Sequence, residues 1–106
     1  MKTYKVSFRP AAITDLDELF VYIANHSSWE IADSYLARIE SLCLSLRTFP
    51  IRGAAVPGRI SGLRITGFEH RASILFRVGE SEVEVLRILY GGQELGPALE
   101  RLLAIP

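Results

Sequence analysis

Arg87 stands in the middle of V-E-V-L-R-I-L-Y-G-G-Q, residues Val83 to Gln93, the longest β-branched and apolar run in the chain. A charged group in such a strand is costly unless it is paired or reaches water, so Arg87 calls for an explanation. The other residue types able to do chemistry are sparse. His70 follows Glu69 and could form an acid–base pair with it, because histidine titrates near neutrality. Nothing in the sequence places a substrate beside that pair, and a turn histidine is the better reading. His26 has no second ligand at metal-binding spacing and reads as a loop residue. The single cysteine, Cys43, lies between Leu42 and Leu44 and reads as a buried, inert thiol. Gly91-Gly92 lacks the further glycines and lysine of a phosphate-binding loop. No Ser/His/Asp arrangement can be defended from residue order. The residues therefore predict no catalytic group, no metal and no cofactor.

The elements that position these residues follow from hydrophobic spacing. Thr3 to Arg9 alternates, with Tyr4, Val6 and Phe8 on one side and Lys5, Ser7 and Arg9 on the other, which predicts a half-buried strand. Pro10 ends it and suits the first turn of a helix. From Ala11 to about Asn25, Ala12, Leu16, Leu19, Phe20 and Ile23 form one stripe, with Asp15, Asp17 and Glu18 outside it. Ser27-Ser28-Trp29-Glu30 has the form of a capping box with Ser27 as cap. The helix it opens runs to about Arg47, its stripe being Ala32, Tyr35, Leu36, Ile39, Leu42, Cys43 and Leu46. The Tyr and Trp residues here read as packing.

Phe49 to Gly62, rich in Pro and Gly, predicts a loop in which Arg52 and Arg59 are exposed. Strands are expected over Leu63–Phe68 and Arg71–Val78, joined around Glu69-His70, and then from Val83. In the second of these, Ala72, Ile74, Phe76 and Val78 face the core and Arg71, Ser73, Leu75 and Arg77 face away. Gly79-Glu80-Ser81 turns the chain into the last strand, and Ala98 to Leu103 is long enough for one or two turns of helix.

This order predicts an α+β fold: an N-terminal strand, an antiparallel helical hairpin, then a three-stranded antiparallel run, all in one sheet with the helices on one face. Lys5, Arg9, Arg64, Arg71 and Arg77 would share the other face, whose charged residues would then be basic. On the last strand, Leu86, Ile88 and Tyr90 would join the core. Val83, Val85, Arg87 and Leu89 would form an exposed apolar patch around an arginine, suited to a protein partner.

The 106 residues, 49% of them hydrophobic, suit a single domain spanning 1–106 with its own core and argue against disorder. The formal net charge is zero. That neutrality conceals an acidic segment over residues 10–46 and a basic one carrying Arg47, Arg52, Arg59, Arg64, Arg71 and Arg77. No signal peptide is evident and no apolar run reaches the ~18 residues of a membrane span. The expected location is the cytoplasm.

Several landmarks follow one another in order along the chain: Phe8-x-Pro10 followed by Ala12, Asp15-Leu16, Tyr22-Ile23-Ala24, Phe49-Pro50-x-Arg52-Gly53, Gly62-Leu63-Arg64, Phe76-Arg77-Val78 and Leu86 through Gln93. Taken together, over nearly the whole chain, they resemble the ParE branch of the RelE/ParE toxin superfamily. The resemblance implies the toxin of a bacterial type II toxin–antitoxin module of the plasmid-stabilisation kind. Such a toxin would poison DNA gyrase without being an enzyme. A cognate antitoxin would neutralise it in a heterodimer or heterotetramer, and operator DNA would be reached only through that antitoxin. Arg64, Arg71, Arg77, Arg87 and Tyr90 are the residues expected to contact antitoxin or target. Two other readings stay open: a RelE-type, ribosome-dependent mRNA endoribonuclease using the same arginines and Tyr90, and a non-toxic relic that only binds antitoxin. The stretch after Tyr90, Gly91-Gly92-Gln93-Glu94, has no Arg or Lys before Arg101. That departs from the basic C-terminal pattern of the ribonuclease branch, where positive charge would stabilise the transition state.

Overall fold

The computed structural model describes residues 2–91 and 96–97. Strand β1 (Lys5–Phe8) leads into helix α1 (Pro10–His26), and helix α2 (Trp29–Ser45) returns antiparallel to it. Then come β2 (Ala54–Ala55), β3 (Leu63–Phe68), β4 (Ala72–Val78) and β5 (Glu82–Tyr90). The sheet order is β1-β5-β4-β3-β2. Strands β2 to β5 pair antiparallel in succession, whereas β1 joins β5 in parallel. The sheet is therefore mixed, and β5 lies inside it, between β1 and β4, as its apolar run demands. Strand β2 lies within the stretch expected to be loop. The short segment expected from Ala98 to Leu103 lies outside the described residues.

Pro10 opens α1 as expected, because a helix leaves its first N–H groups unbonded and proline has none to waste. The turn between the helices is built one residue later than the capping-box reading. Ser27 closes α1, its backbone N–H and its hydroxyl both donating to the Ile23 carbonyl. Ser28 is the cap of α2, its Oγ accepting from Ile31 N–H at 3.2 Å. His26 is the last residue of α1 rather than a loop residue, and its Nδ1 donates to the Tyr22 carbonyl at 2.7 Å. Two adjacent serines thus divide the work: one satisfies the end of a helix, the next the start of another.

The main core lies between the hairpin and one face of the sheet. Ala12, Leu19 and Ile23 from α1 and Ala32, Tyr35, Leu36, Ile39 and Cys43 from α2 meet Ile74, Phe76, Val83, Val85 and Ile88. Val83 and Val85, expected on an exposed face, are fully buried here. Leu86, expected in this core, belongs instead to a smaller cluster with Leu63 and Leu75 on the opposite face, flanked by Val56, Ile60 and Ile65. Leu89 is buried as well, so β5 presents no exposed apolar patch.

The cause is a β-bulge. Leu75 pairs with Arg87 but Phe76 pairs with Val85, so β5 inserts one extra residue between them. Alternation along a strand has period two, and one inserted residue exchanges inward and outward positions on either side of it. Odd positions (Val83, Val85) face the helices before the bulge and even ones (Ile88, Tyr90) after it.

The face away from the helices is not uniformly basic either. Lys5 pairs with Glu82, and Ser7 and Arg77 with Glu84. Arg9 forms an ion pair with Glu84 at 3.3 Å, and Ser7 donates to Glu82 at 2.8 Å. The basic residues of β1 and β4 are thereby interleaved with the acids of β5.

Candidate functional site

The five residues expected to touch a partner are dispersed to four parts of the molecule. Arg87 is the most confined. Its Nε and Nη2 donate to Asp15 Oδ2 and Oδ1 at 2.6 and 2.9 Å, and Asp15 Oδ2 also accepts the Ile88 N–H at 2.9 Å. The two side chains are 11% and 9% exposed, so the pair is largely withdrawn from water. Strand β1 pairs with β5 only as far as Val85, which leaves later backbone groups of β5 without a strand partner on that side. Asp15 takes over one of them, standing in for a missing strand while neutralising Arg87. The hydrogen bonds that Arg87 donates to Asp15 raise the guanidinium pKa further, against the opposing effect of burial. Asp15, expected outside the apolar stripe of α1, thus faces the sheet.

Arg64 lies on the helix side of β3, paired in register with the core residue Phe76, not on the opposite face. Its guanidinium donates to the carbonyls of Arg52 and Gly53 at 3.0 and 3.3 Å. Arg52, expected to be exposed, is half-buried, and its Nη1 donates to Ser45 Oγ at 2.8 Å. Both arginines therefore brace the segment that leaves α2 and returns as β2. Arg77 is exposed on the other face of the sheet, where its Nε donates to the Ser61 carbonyl at 3.3 Å.

Arg71 and Tyr90 are the two that come together. They line a cleft of about 410 Å3 with Tyr22, His26, Tyr35 and Glu69, over a floor that includes Ile23 and Ile31. A second cleft, also about 410 Å3, shares Tyr22 and Tyr90 and continues along α1 past Leu19 and Glu18 to Asp15. The rings form a connected set: Tyr22 stacks on His26 at 4.2 Å, and Tyr90 meets the edges of Tyr22 and Tyr35 at 5.8 and 6.0 Å. Arg38 sits over the Tyr35 ring at 5.4 Å and grips Glu69 through two hydrogen bonds of 2.7 and 3.1 Å. That grip lowers the Glu69 pKa and keeps its carboxylate ionised. Glu69 and His70 occupy the two central positions of the β3–β4 turn, both with positive φ, and Arg71 N–H closes the turn onto Phe68 O at 3.1 Å. This is the geometry of a primed hairpin turn, and it bears out the turn reading of His70.

Tyr35 is buried as predicted, but its hydroxyl has no hydrogen-bond partner among the described residues. Burial is the main cause of its raised pKa; Tyr90 and Glu69 raise it further, while Arg38 and Arg71 lower it. Sequence reading missed this cleft because Tyr22, Tyr35 and His26 each have an ordinary packing or loop interpretation. One available signal was the spacing of Leu19, Tyr22 and His26 at i, i+3 and i+7, which puts Tyr22 and His26 on one helix face at the edge of the apolar stripe.

A helical hairpin laid on a mixed sheet with this strand order is the fold of the ParE/RelE toxins of type II toxin–antitoxin systems. The chain belongs to the ParE toxin family: the model of the ParE toxin of the type II toxin–antitoxin system, parDE, matches residues 6–95. Solved structures with the same fold include the chromosomal ParDE system of P. aeruginosa, at 24% identity and TM-score 0.72 over 84% of this chain and 97% of that one. Another is the RelBE2 toxin–antitoxin complex of Mycobacterium tuberculosis, at 21% identity and TM-score 0.66 over 88% of this chain and 97% of that one. The YoeB dimer of Staphylococcus aureus aligns at 15% identity and TM-score 0.56, over 83% of this chain and 97% of that one. No curated protein matches the chain by sequence. Among the described residues no helix is long and apolar enough to cross a membrane.

Proposed function

We propose that this toxin arrests growth by acting on DNA gyrase rather than by cutting RNA, and that a cognate antitoxin neutralises it. The match to the ParE family over residues 6–95 carries this reading. The disposition of the arginines supports it. A ribonuclease lacking a metal needs several cationic donors converging on one scissile phosphate. Here Arg64 and Arg87 spend their donors inside the fold, Arg77 lies on one face and Arg71 borders a cleft on the other. The contacts to a partner are then assigned to Arg71, Tyr90 and Arg77, with Arg64 and Arg87 holding the frame that presents them.

An antitoxin in a heterodimer or heterotetramer would also explain the apolar surface of the hairpin. Val21, Tyr22, Trp29, Ile31 and Leu44 are each at least half exposed, more than a helical pair needs to show to water. A flexible antitoxin segment that folds as it wraps would cover them, and operator DNA would be bound by that antitoxin.

Brief inducible expression in a bacterium, followed by labelled thymidine and labelled methionine incorporation, tests the target. Thymidine incorporation is expected to fall first, with methionine incorporation sustained. Protein synthesis failing first would transfer the assignment to the ribosome. If soluble protein accumulates and neither rate falls, the chain is an antitoxin-binding relic.

A further inference from the structure

The cleft between the hairpin turn and the β3–β4 turn contains a group the proposed function does not use. The Tyr35 residue is 7% exposed and its hydroxyl meets no acceptor or donor among the described residues. Buried polar groups are almost always partnered, and an exception calls for a ligand, a water or a function. Close to it stands Arg71, an exposed guanidinium whose charge is felt by Tyr35. Glu69 shares the wall, but its charge is already answered by Arg38. His26 spends Nδ1 on the Tyr22 carbonyl, which leaves the other ring nitrogen for an outside partner.

We propose that this cleft is a subsite for a carboxylate presented by a partner peptide next to an aliphatic side chain. Arg71 supplies the charge, and Tyr35 a hydroxyl donor that gains its missing partner. The hydroxyl is buried as it stands, so a ligand would reach it only after the exposed side chains that line the cleft, among them Tyr22, His26 and Arg71, give way. Two features select a carboxylate over a phosphate. Among the described residues the cleft offers one cation without an ion-pair partner, Arg71, not the cluster that a dianion draws, and a carboxylate, Glu69, already stands in its wall. Ile23 and Ile31 line the same cleft, and Ile31 is 56% exposed, which gives the neighbouring aliphatic group an apolar seat. The source of the peptide, an antitoxin segment, rests on the function proposed above; the anion recognition does not.

The test is an NMR titration of the full isotope-labelled chain at constant ionic strength with 4-methylpentanoate, its amide 4-methylpentanamide, and inorganic phosphate. Saturable shifts are expected around Tyr35, His26 and Arg71 with the carboxylate alone. Arg71→Gln should weaken the binding about tenfold or more, the loss expected when a charge-assisted hydrogen bond is removed. Tyr35→Phe deletes only an unpartnered oxygen, so it should fold normally and still bind the carboxylate more weakly. Equal response to acid and amide, tighter binding of phosphate, or unchanged affinity in both variants would overturn the assignment. None of these readouts depends on toxicity, so a failed subsite and a wrong target are told apart.

Discussion

At the scale of single residues, the Asp15–Arg87 pair shows how one carboxylate can serve charge and backbone together. Removing one member of a largely buried pair strands the other. Asp15→Ala is therefore expected to cost about 3 kcal/mol in urea unfolding, since Arg87 and the Ile88 N–H both lose their acceptor. Adding Arg87→Met should recover part of that loss and not all of it, because the Ile88 N–H stays unpaired; additive losses in the double mutant would show that the two residues do not act as a unit. Cys43 makes a different prediction. Burial pushes its thiol from an ordinary 9.0 up to about 12. The unfolded chain thus releases this proton first, so the stability the neutral thiol contributes is complete below about pH 9 and is lost as pH rises towards 12. Tyr35, raised from 10.0, acts in the same direction. Native protein should resist a thiol reagent at pH 8 and react only once unfolded, and Cys43→Ala should flatten the fall in stability above about pH 9.

At the scale of elements, two glycines make the segment around β2 and β3 possible. A Cβ on Gly53, at φ +65°, would lie 1.9 Å from the Ile65 carbonyl oxygen, and one on Gly62, at φ +77°, would lie 2.2 Å from that of Val78. Both neighbours are backbone of the sheet and cannot step aside. Gly62→Ala is expected to destabilise by about 2 kcal/mol or more. Gly67 on β3 has open space where a Cβ would go, so Gly67→Ala should change stability little and serves as the control. At the hairpin turn, Ser28→Ala should cost about 1 kcal/mol through loss of the α2 cap. A similar loss from Glu30→Ala would instead favour the capping box first read from the sequence.

For the whole molecule, the parallel β1–β5 pairing joins the first strand directly to the last, so the sheet that carries the hairpin is completed by residues far apart in the chain. The surface carries the marks of a protein made to be covered. Phe49 and Ile51 are 64% and 70% exposed in the segment before β2. Replacing both by serine should shift unfolding free energy by no more than about 0.5 kcal/mol per site while reducing self-association in sedimentation. A large loss of stability would mean that these side chains support the fold after all.

Helix spacing, the proline that opens α1 and the apolar run of β5 made both helices, the β3–β4 hairpin and the interior place of β5 legible in the sequence, because each is set by residues near one another in the chain. The ParE pattern was legible for the same reason, as local landmarks in a fixed order. Tertiary structure alone decided the bulge at Leu86-Arg87, since an inserted residue leaves no mark on a run that is apolar on both sides of it. It also decided the fate of the arginines. Arg87 is paired by a helix residue 72 positions away, and Arg64 by carbonyls across a turn. Which side chains are spent inside a fold and which remain for a partner depends on distance in space, and spacing along the chain does not encode it.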